Sequence, residues 1–266
     1  MYKVYNNNVN LHSTLINKKM SVKTTLNYSP NFDKKKRVKN KIKFIILHYT
    51  GMKTESAALR KLTDPKSKVS AHYFIKKNGE ITTLVPDLYI AWHAGKSYWK
   101  KYTNLNKNSI GIEVTNPGHD IRYEKFSKLQ IESLVKLCKF LIRKYKIEPN
   151  NILGHSDIAP YRKKDPGEKF PWILMYKKKI SIWHKLNHKI LIKNRNVGIN
   201  FNEKDTFIKN LEKIGYSSKV LKELDYNKNK YLKVIIRSFQ RRFRQALING
   251  KPDKECLMIS NILISK

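Results

Sequence analysis

The run IKFIILHYT, residues 42–50, constrains the fold of this chain more than any other stretch. β-Branched and aromatic residues follow one another so densely that no alternation with polar residues remains, which is typical of a strand buried on both faces. The run ends near His48, at a position where a side chain can emerge at the edge of a sheet into a cleft. The sequence therefore predicts a covered central strand with a histidine at its end.

Further strands and helices surround this run. A helix is predicted through SAALRKLTD, and Asn78-Gly79 between two β-rich runs in SAHYFIKKNGEITTLV predicts a hairpin. NSIGIEVTN reads as another short strand. The clearest helix spans Ser127 to Tyr145, because Ser127 and Gln130 match a capping box and apolar residues recur at helical spacing. This mixture indicates an α/β or α+β domain over about residues 41–190.

The two ends of the chain differ from this domain. Residues 1–40 are polar and basic, and we expect them to form an extended basic arm. After a Lys/Asn-rich stretch near 185–200, three amphipathic helical patterns predict a small three-helix module over residues 200–266. The first of these helices is expected to stop at Gly215.

The charge of the chain is extreme, with 56 Lys and Arg against 20 Asp and Glu, a formal net charge of +36. Such a field favours polyanionic partners, which include nucleic acids, anionic lipids and anionic wall polymers. A genome-wide excess of Lys, Asn and Ile explains the same numbers equally well. Charge alone therefore selects no partner.

The cysteines and the hydropathy pattern give no sign of a cysteine metal site, a transmembrane helix or a conventional secretory signal. Cys138 and Cys256 fall at apolar helical positions without neighbours at metal-ligand spacing, and we expect both to be core thiols. No apolar run is long enough for a transmembrane helix, and the first residues lack the apolar region of a secretory signal.

The segment GHSDIAPYRKKDPG, residues 154–167, reads as a loop that carries chemistry. His155 and Asp165 flank it, and with His48 they form a His₂Asp set. Hydrolytic zinc sites use three such ligands and leave one position open for water. A lone histidine is more often a surface or core residue, so spacing by itself does not settle the assignment.

Five segments in order resemble a known family: FIILHYTG, VSAHYFIKKNGEIT, AWHAGKS, SIGIEVTNPG and GHSDIAPYRKKDPG. Over about residues 42–175 the chain is similar to the zinc-dependent N-acetylmuramoyl-L-alanine amidases of the type-2 family, in the AmpD/AmiD branch. The resemblance implies an α/β fold with a central mixed sheet flanked by helices. FQRRFRQALINGKPDKE resembles the helical peptidoglycan-binding module that follows the catalytic domain in AmiD-like members.

The resemblance also implies roles for single residues. His48, His155 and Asp165 match the family's ligands for one Zn²⁺ per chain, Glu113 its catalytic glutamate, and Lys163 its catalytic lysine. The bond attacked would join N-acetylmuramic acid, or its 1,6-anhydro form, to the L-alanine of a stem peptide. The partners implied are peptidoglycan or soluble anhydro-muropeptides, without a choice between them.

Some residues keep two interpretations. From the residues alone, Glu113 is an ordinary strand carboxylate. His72 and His93 either line the cleft and contact substrate or serve as structural hydrogen-bonding groups. Asp157 reads as a loop-bracing residue, with support of a metal ligand as the alternative. Trp92 reads as wall packing, with a platform for a sugar ring as the alternative. Four further histidines have no assigned role: His12, His119, His184 and His188.

Two rival functions are weaker. A non-catalytic peptidoglycan receptor on the same fold would be expected to lack a zinc ligand, whereas all three positions are filled. A nucleic-acid-binding protein is suggested by the charge and by SFQRRFRQ. There, however, Phe239 and Phe243 lie on the apolar stripe, so the arginines are predicted to form an ordinary solvated face. We therefore expect no specific nucleic-acid partner. Location stays open, because a wall substrate favours the envelope and the missing signal favours the cytoplasm, and oligomeric state leaves no trace.

Overall fold

The computed structural model describes residues 21–265, in which a mixed six-stranded sheet carries the site. The sheet order is β1–β5–β4–β9–β3–β10, with strands β1 Thr25–Leu26, β3 Phe44–Tyr49, β4 Tyr73–Ile75, β5 Ile81–Thr83, β9 Ser109–Val114 and β10 Ile152–Gly154. Only the β4–β5 pair is antiparallel within this sheet. Two small ribbons pair β2 Phe32–Asp33 with β6 Ile90–Ala91, and β7 Tyr98–Trp99 with β8 Tyr102–Thr103.

Helices cover the sheet and continue to the C-terminal end of the described chain. They are α1 Glu55–Thr63, α2 Lys128–Tyr145, α3 His155–Ile158, α4 Trp172–Lys177, α5 His188–Asn194, α6 Phe201–Ile214, α7 Lys219–Glu223, α8 Lys228–Phe243 and α9 Lys254–Ile264. The predicted α/β class with a central mixed sheet flanked by helices is confirmed. No helix within residues 21–265 is long and apolar enough to cross a membrane.

Local sequence rules account for the element boundaries. At the start of α2, the Ser127 side chain accepts from the Gln130 amide, and the Gln130 side chain accepts from the Ser127 amide, as the capping box predicts. The predicted hairpin at Asn78-Gly79 joins β4 to β5. Gly215 ends α6 as expected.

The sheet separates two apolar clusters. On one face, Tyr73 and Ile75 of β4 join the main core, which includes the buried side of α2 and continues without interruption into α6, α8 and α9. On the other face, Phe74 packs with Ala58 and Leu62 of α1. Side chains alternate along a strand, so each residue of β4 commits to one face. The site lies on the α1 face.

The C-terminal helices include the three predicted ones, α6, α8 and α9, together with the short α7. Cys138 and Cys256 are buried and free, as expected of core thiols. The prediction of a solvated arginine face on α8 was wrong for Arg242 and for Arg244, directly after the helix. Both are buried and ion-paired, because this end of α8 packs against other elements: Arg242 pairs with Asp157 of α3, and Arg244 pairs with Asp253 at the start of α9.

The predicted basic arm lies partly outside the described residues. Residues 1–20 are not described by the structure, whereas residues 21–40 contain two short strands. β1 extends the main sheet by pairing with β5, and β2 pairs with β6. The second half of the predicted arm is therefore attached to the sheet.

Asp87, in the loop after β5, ties β4 to the end of α2. Its carboxylate accepts from the Tyr73 hydroxyl at 2.6 Å, the Tyr145 hydroxyl at 2.6 Å and the Lys144 ammonium at 2.8 Å. Burial alone would raise the pKa of Asp87, but the hydrogen bonds from Lys144, Tyr145 and Tyr73 hold it below its ordinary value.

We expect Asp87→Asn to lower the free energy of unfolding at pH 7 by about 1–3 kcal/mol, because buried donors lose a charged acceptor. A depressed folded-state pKa contributes stability above the unfolded value near 3.9, and this contribution is lost as pH falls through the folded pKa. Denaturant titrations at pH 7 and pH 3 should therefore show the difference between parent and variant shrinking at pH 3. An equal difference at both pH values would contradict this account.

Candidate active site

A cleft with a volume of about 380 Å³ opens on the α1 face of the sheet, and five of the predicted site residues line it. These are His48, Glu113, His155, Lys163 and Asp165. The register of the sheet explains part of this convergence. β3 and β9 are parallel with His48 opposite Glu113, so both side chains project from the same face at neighbouring positions. β10 pairs with β3 on its other side and delivers His155 directly after Gly154.

Three donor atoms meet at the floor of this cleft. His48 Nδ1 lies 2.9 Å from His155 Nδ1, and Asp165 Oδ2 lies 3.1 and 3.0 Å from these two nitrogens. Among residues 21–265, this is the group of histidine, cysteine and acidic side chains that could hold a metal ion. A tetrahedral site with ligands at about 2.0–2.1 Å separates its donors by about 3.3 Å, close to the distances here.

The protonation pattern also fits a cation. His155 Nε2 faces the Ala94 carbonyl at 3.2 Å and donates to it, which leaves the lone pair on Nδ1. Burial lowers the pKa of His155 to about 4 and also lowers that of His48, so both rings are neutral at pH 7. Burial would raise the pKa of Asp165, but His155 and His48 hold it well below its usual range. The donor set is therefore two neutral imidazoles and one carboxylate.

His93 orients the His48 ring. Ser109 Oγ donates to the Leu105 carbonyl at 2.7 Å, so it accepts from His93 Nε2 at 3.1 Å. His93 Nδ1 is then the acceptor for His48 Nε2 at 3.0 Å, which leaves His48 Nδ1 free to bind a metal. The sequence left two interpretations for His93, a substrate contact in the cleft or structural hydrogen bonding. The ring lines the cleft, and both of its nitrogens are engaged in hydrogen bonds.

A glycine on β9 makes room for the His93 ring. A Cβ added to Gly111 would lie 2.4 Å from that ring, so any larger residue at this position would displace it. The orientation of His48 therefore depends on a close approach between the backbone of β9 and an imidazole.

His72 lies beneath the cleft and does not line it. Its ring is fully buried, its Nδ1 accepts from the Gly111 amide at 3.0 Å, and its Nε2 faces the Tyr89 carbonyl at 3.1 Å. Burial and the neighbouring Arg37 guanidinium lower the pKa of His72 to about 3, so the ring is neutral. Of the two interpretations that the sequence left open for His72, these contacts match structural hydrogen bonding.

Glu113 brings an unpaired carboxylate oxygen to the cleft. Its Oε2 is buried without a hydrogen-bond partner among the described residues. Burial raises the pKa of Glu113 well above its ordinary value, and the Asp165 carboxylate raises it further, whereas Lys163 and Lys61 lower it. A buried carboxyl group with a raised pKa is suited to exchange a proton with a group in the cleft.

Lys163 is held in place by the turn that precedes Asp165. Its amide donates to the Ala159 carbonyl at 3.0 Å, and its side chain lines the same cleft as Glu113. The adjacent Arg162 guanidinium is occupied by backbone carbonyls of Ala94 and Lys96. Lys163 is thus a cation placed beside the proposed metal ligands.

One group near the cleft was not identified from the sequence. Tyr49 lines the cleft, and its hydroxyl lies 2.9 Å from His119 Nδ1. The other ring nitrogen of His119 lies 3.0 Å from Glu168. The sequence contained one clue to this pair: His119 and Glu168 each directly follow a Pro-Gly dipeptide at the end of a segment that resembles a family motif.

Comparison with known proteins places this geometry in a family. Residues 38–168 match the family model described as N-acetylmuramoyl-L-alanine amidase. The chain is 35% identical over 241 residues to the N-acetylmuramoyl-L-alanine amidase AmiD of Escherichia coli, covering 85% of this chain and 83% of AmiD.

Solved structures agree over most of the chain. AmiD from E. coli, in complex with anhydro-N-acetylmuramic acid-L-Ala-D-γ-Glu-L-Lys, superimposes with a TM-score of 0.73 at 33% identity, covering 85% of this chain and 89% of that one. AmpDh3 from Pseudomonas aeruginosa, in complex with an anhydromuramic pentapeptide, gives a TM-score of 0.72 at 28% identity, with coverages of 87% and 93%. On this similarity, the chain belongs to the N-acetylmuramoyl-L-alanine amidase family.

Proposed function

We propose that this protein is a zinc-dependent amidase that hydrolyses the bond between N-acetylmuramic acid, or its 1,6-anhydro form, and the L-alanine of peptidoglycan stem peptides. The observation that carries the proposal is the meeting of His48, His155 and Asp165 beside the unpaired carboxylate of Glu113. Similarity to AmiD, whose structure holds an anhydro-muramoyl peptide, over most of both chains supports the substrate class.

The donor set suits zinc. Two histidines and one carboxylate are ligands that Zn²⁺ accepts, and three protein ligands leave a fourth position for water or substrate. When bound, zinc supplies a Lewis acid that lowers the pKa of water towards about 7. The outer hydrogen bonds of His48 and His155 orient both rings so that their Nδ1 atoms would be available to hold the ion.

Glu113 and Lys163 have complementary roles in the proposed reaction. Glu113 accepts a proton from the attacking water and returns it to the amine of the departing L-alanine, a task that its raised pKa favours. Lys163 stabilises the negative charge that develops on the carbonyl oxygen, an effect typically worth about 3 kcal/mol. Burial of the floor of the cleft strengthens both interactions.

The rival functions gain no support. A receptor without activity would not require a complete donor set beside a carboxyl group with a raised pKa, and both are present. The arginines that suggested nucleic-acid binding are largely withdrawn from solvent, since Arg242 and Arg244 are buried in ion pairs. We propose that the helical region over residues 200–266 assists binding of the wall polymer.

Glu113→Gln should lower kcat/KM by about 10²–10⁴-fold, because the amide cannot accept a proton. Zinc content, measured by atomic absorption, should remain at the parental level, because Glu113 is not one of the three donors. Glu132→Gln on the exposed side of α2 serves as the control and should keep parental turnover. Near-parental activity in Glu113→Gln would rule out the proposed proton transfer.

Asp165→Ala and His155→Ala should each weaken zinc binding as well as turnover, because each removes one of three ligands. Competition with a chromogenic chelator measures the affinity directly. A chelator should likewise abolish turnover of the parent, and added zinc should restore it. Unchanged zinc affinity in both variants would place the metal elsewhere.

A further inference from the structure

The C-terminal helix α8 reaches the segment that carries His155. On the basis of the proposed zinc site, we propose that Arg242 is a positioning residue. Together with Tyr216 and Ser238, it fixes residues 152–157 so that His155 meets the other ligands. The helical region is then part of the metal site as well as an appended binding module.

Asp157 is the receiving end of this brace. Its Oδ2 accepts from Arg242 Nη1 at 2.7 Å and from the Gly154 amide at 2.8 Å, and its Oδ1 accepts from the Tyr216 hydroxyl at 2.9 Å. Asp157 and Arg242 are only 1% and 2% exposed, so water does not compete for these bonds. The sequence suggested that Asp157 braces the loop, and the structure shows that its charged partner is Arg242.

Two further bonds from α8 reach the backbone around His155. Arg242 Nη2 donates to the Ile152 carbonyl at 2.9 Å, and the Ser238 hydroxyl donates to the Ser156 carbonyl at 2.7 Å. Ser238 and Arg242 are four residues apart and therefore lie on one face of the helix. Backbone groups are thus held on both sides of His155.

The braced segment also contacts the third ligand. The Ser156 amide donates to the Asp165 carbonyl at 2.8 Å. A Cβ added to Gly154 would lie 2.7 Å from Pro166 Cδ, so the two ligand-bearing segments pack without space for a side chain between them. A shift of residues 152–157 would therefore disturb Asp165 together with His155.

Removing Arg242 should act locally on the metal site. The variant would leave the Asp157 carboxylate buried with neutral donors only, a situation that proteins relieve by moving the charge towards water. Arg244 provides a matched comparison. It is 3% exposed and ion-paired with Asp253, but its contacts stay within the C-terminal region.

The experiment compares Arg242→Met with Arg244→Met in the full chain. Zinc affinity is measured by chelator competition, amide hydrogen exchange at Gly154 and Ser156 is measured in metal-free protein, and Tm is recorded for each variant. We expect both variants to lose Tm. Arg242→Met alone should weaken zinc binding by about tenfold or more and accelerate exchange at the two amides. Equal zinc affinity and equal exchange in the two variants would overturn the proposal.

A milder pair keeps the test decisive if Arg242→Met does not fold. Tyr216→Phe removes one hydroxyl from Asp157, whereas Tyr145→Phe removes one from another buried aspartate, Asp87, which bonds to β4 and α2 and not to residues 152–157. Only Tyr216→Phe should weaken zinc binding and accelerate exchange at Gly154, and equal behaviour of the pair would overturn the proposal. A parent that binds no zinc would contradict the proposed function instead, and the exchange comparison in metal-free protein would still decide the brace.

Discussion

The mutual approach of three lone-pair donors is the constraint on which the rest of the structure depends. His48, His155 and Asp165 bring these atoms within 2.9–3.1 Å of one another at a buried point. Such atoms repel unless a proton or a cation lies between them, so the surrounding elements must hold them together. The parallel pairs of β3 with β9 and β10 supply the first layer of that support.

A second layer fixes how each side chain points. His93 and Ser109 determine that Nδ1 of His48 faces the other two donor atoms, and the Ala94 carbonyl does the same for Nδ1 of His155. Beside these side chains, Glu113 has a buried oxygen without a partner among the described residues, and burial and the Asp165 carboxylate raise its pKa. The orientation of the two rings and the raised pKa of Glu113 are therefore both present before substrate binds, as expected of a preorganised site.

The sequence predicted the elements whose signals are local. The unbroken apolar run of β3, the capping box at Ser127 and the Asn78-Gly79 turn each depend on neighbouring residues only. That the candidate ligand residues converge was predicted from the order of the family motifs, because no local rule brings distant segments together. Sequence patterns also failed to predict very short strands, since β1, with two residues, is too short to show an alternation of apolar and polar side chains.

The remaining differences concern side chains whose roles depend on long-range packing. His72 and His93 are both buried histidines beside Gly111 of β9. Their positions differ because His72 accepts from the Gly111 amide, whereas His93 bonds to the ring of His48. Helical periodicity identified one buried stripe on α8 but could not show that Ser238 and Arg242 dock on α3, the helix that carries Asp157. Contacts of this kind join residues more than 80 positions apart, which single-sequence patterns do not encode.

The most direct test of the central claim is product identification by mass spectrometry. Purified protein of known zinc content is incubated separately with intact sacculi and with anhydro-muropeptides, each with chelator, without chelator, and with zinc restored. We predict free stem peptides that vanish with chelator and return with zinc, and the better substrate shows whether polymer or soluble fragments are preferred. Stoichiometric zinc without cleavage of either substrate would contradict the account and favour a receptor.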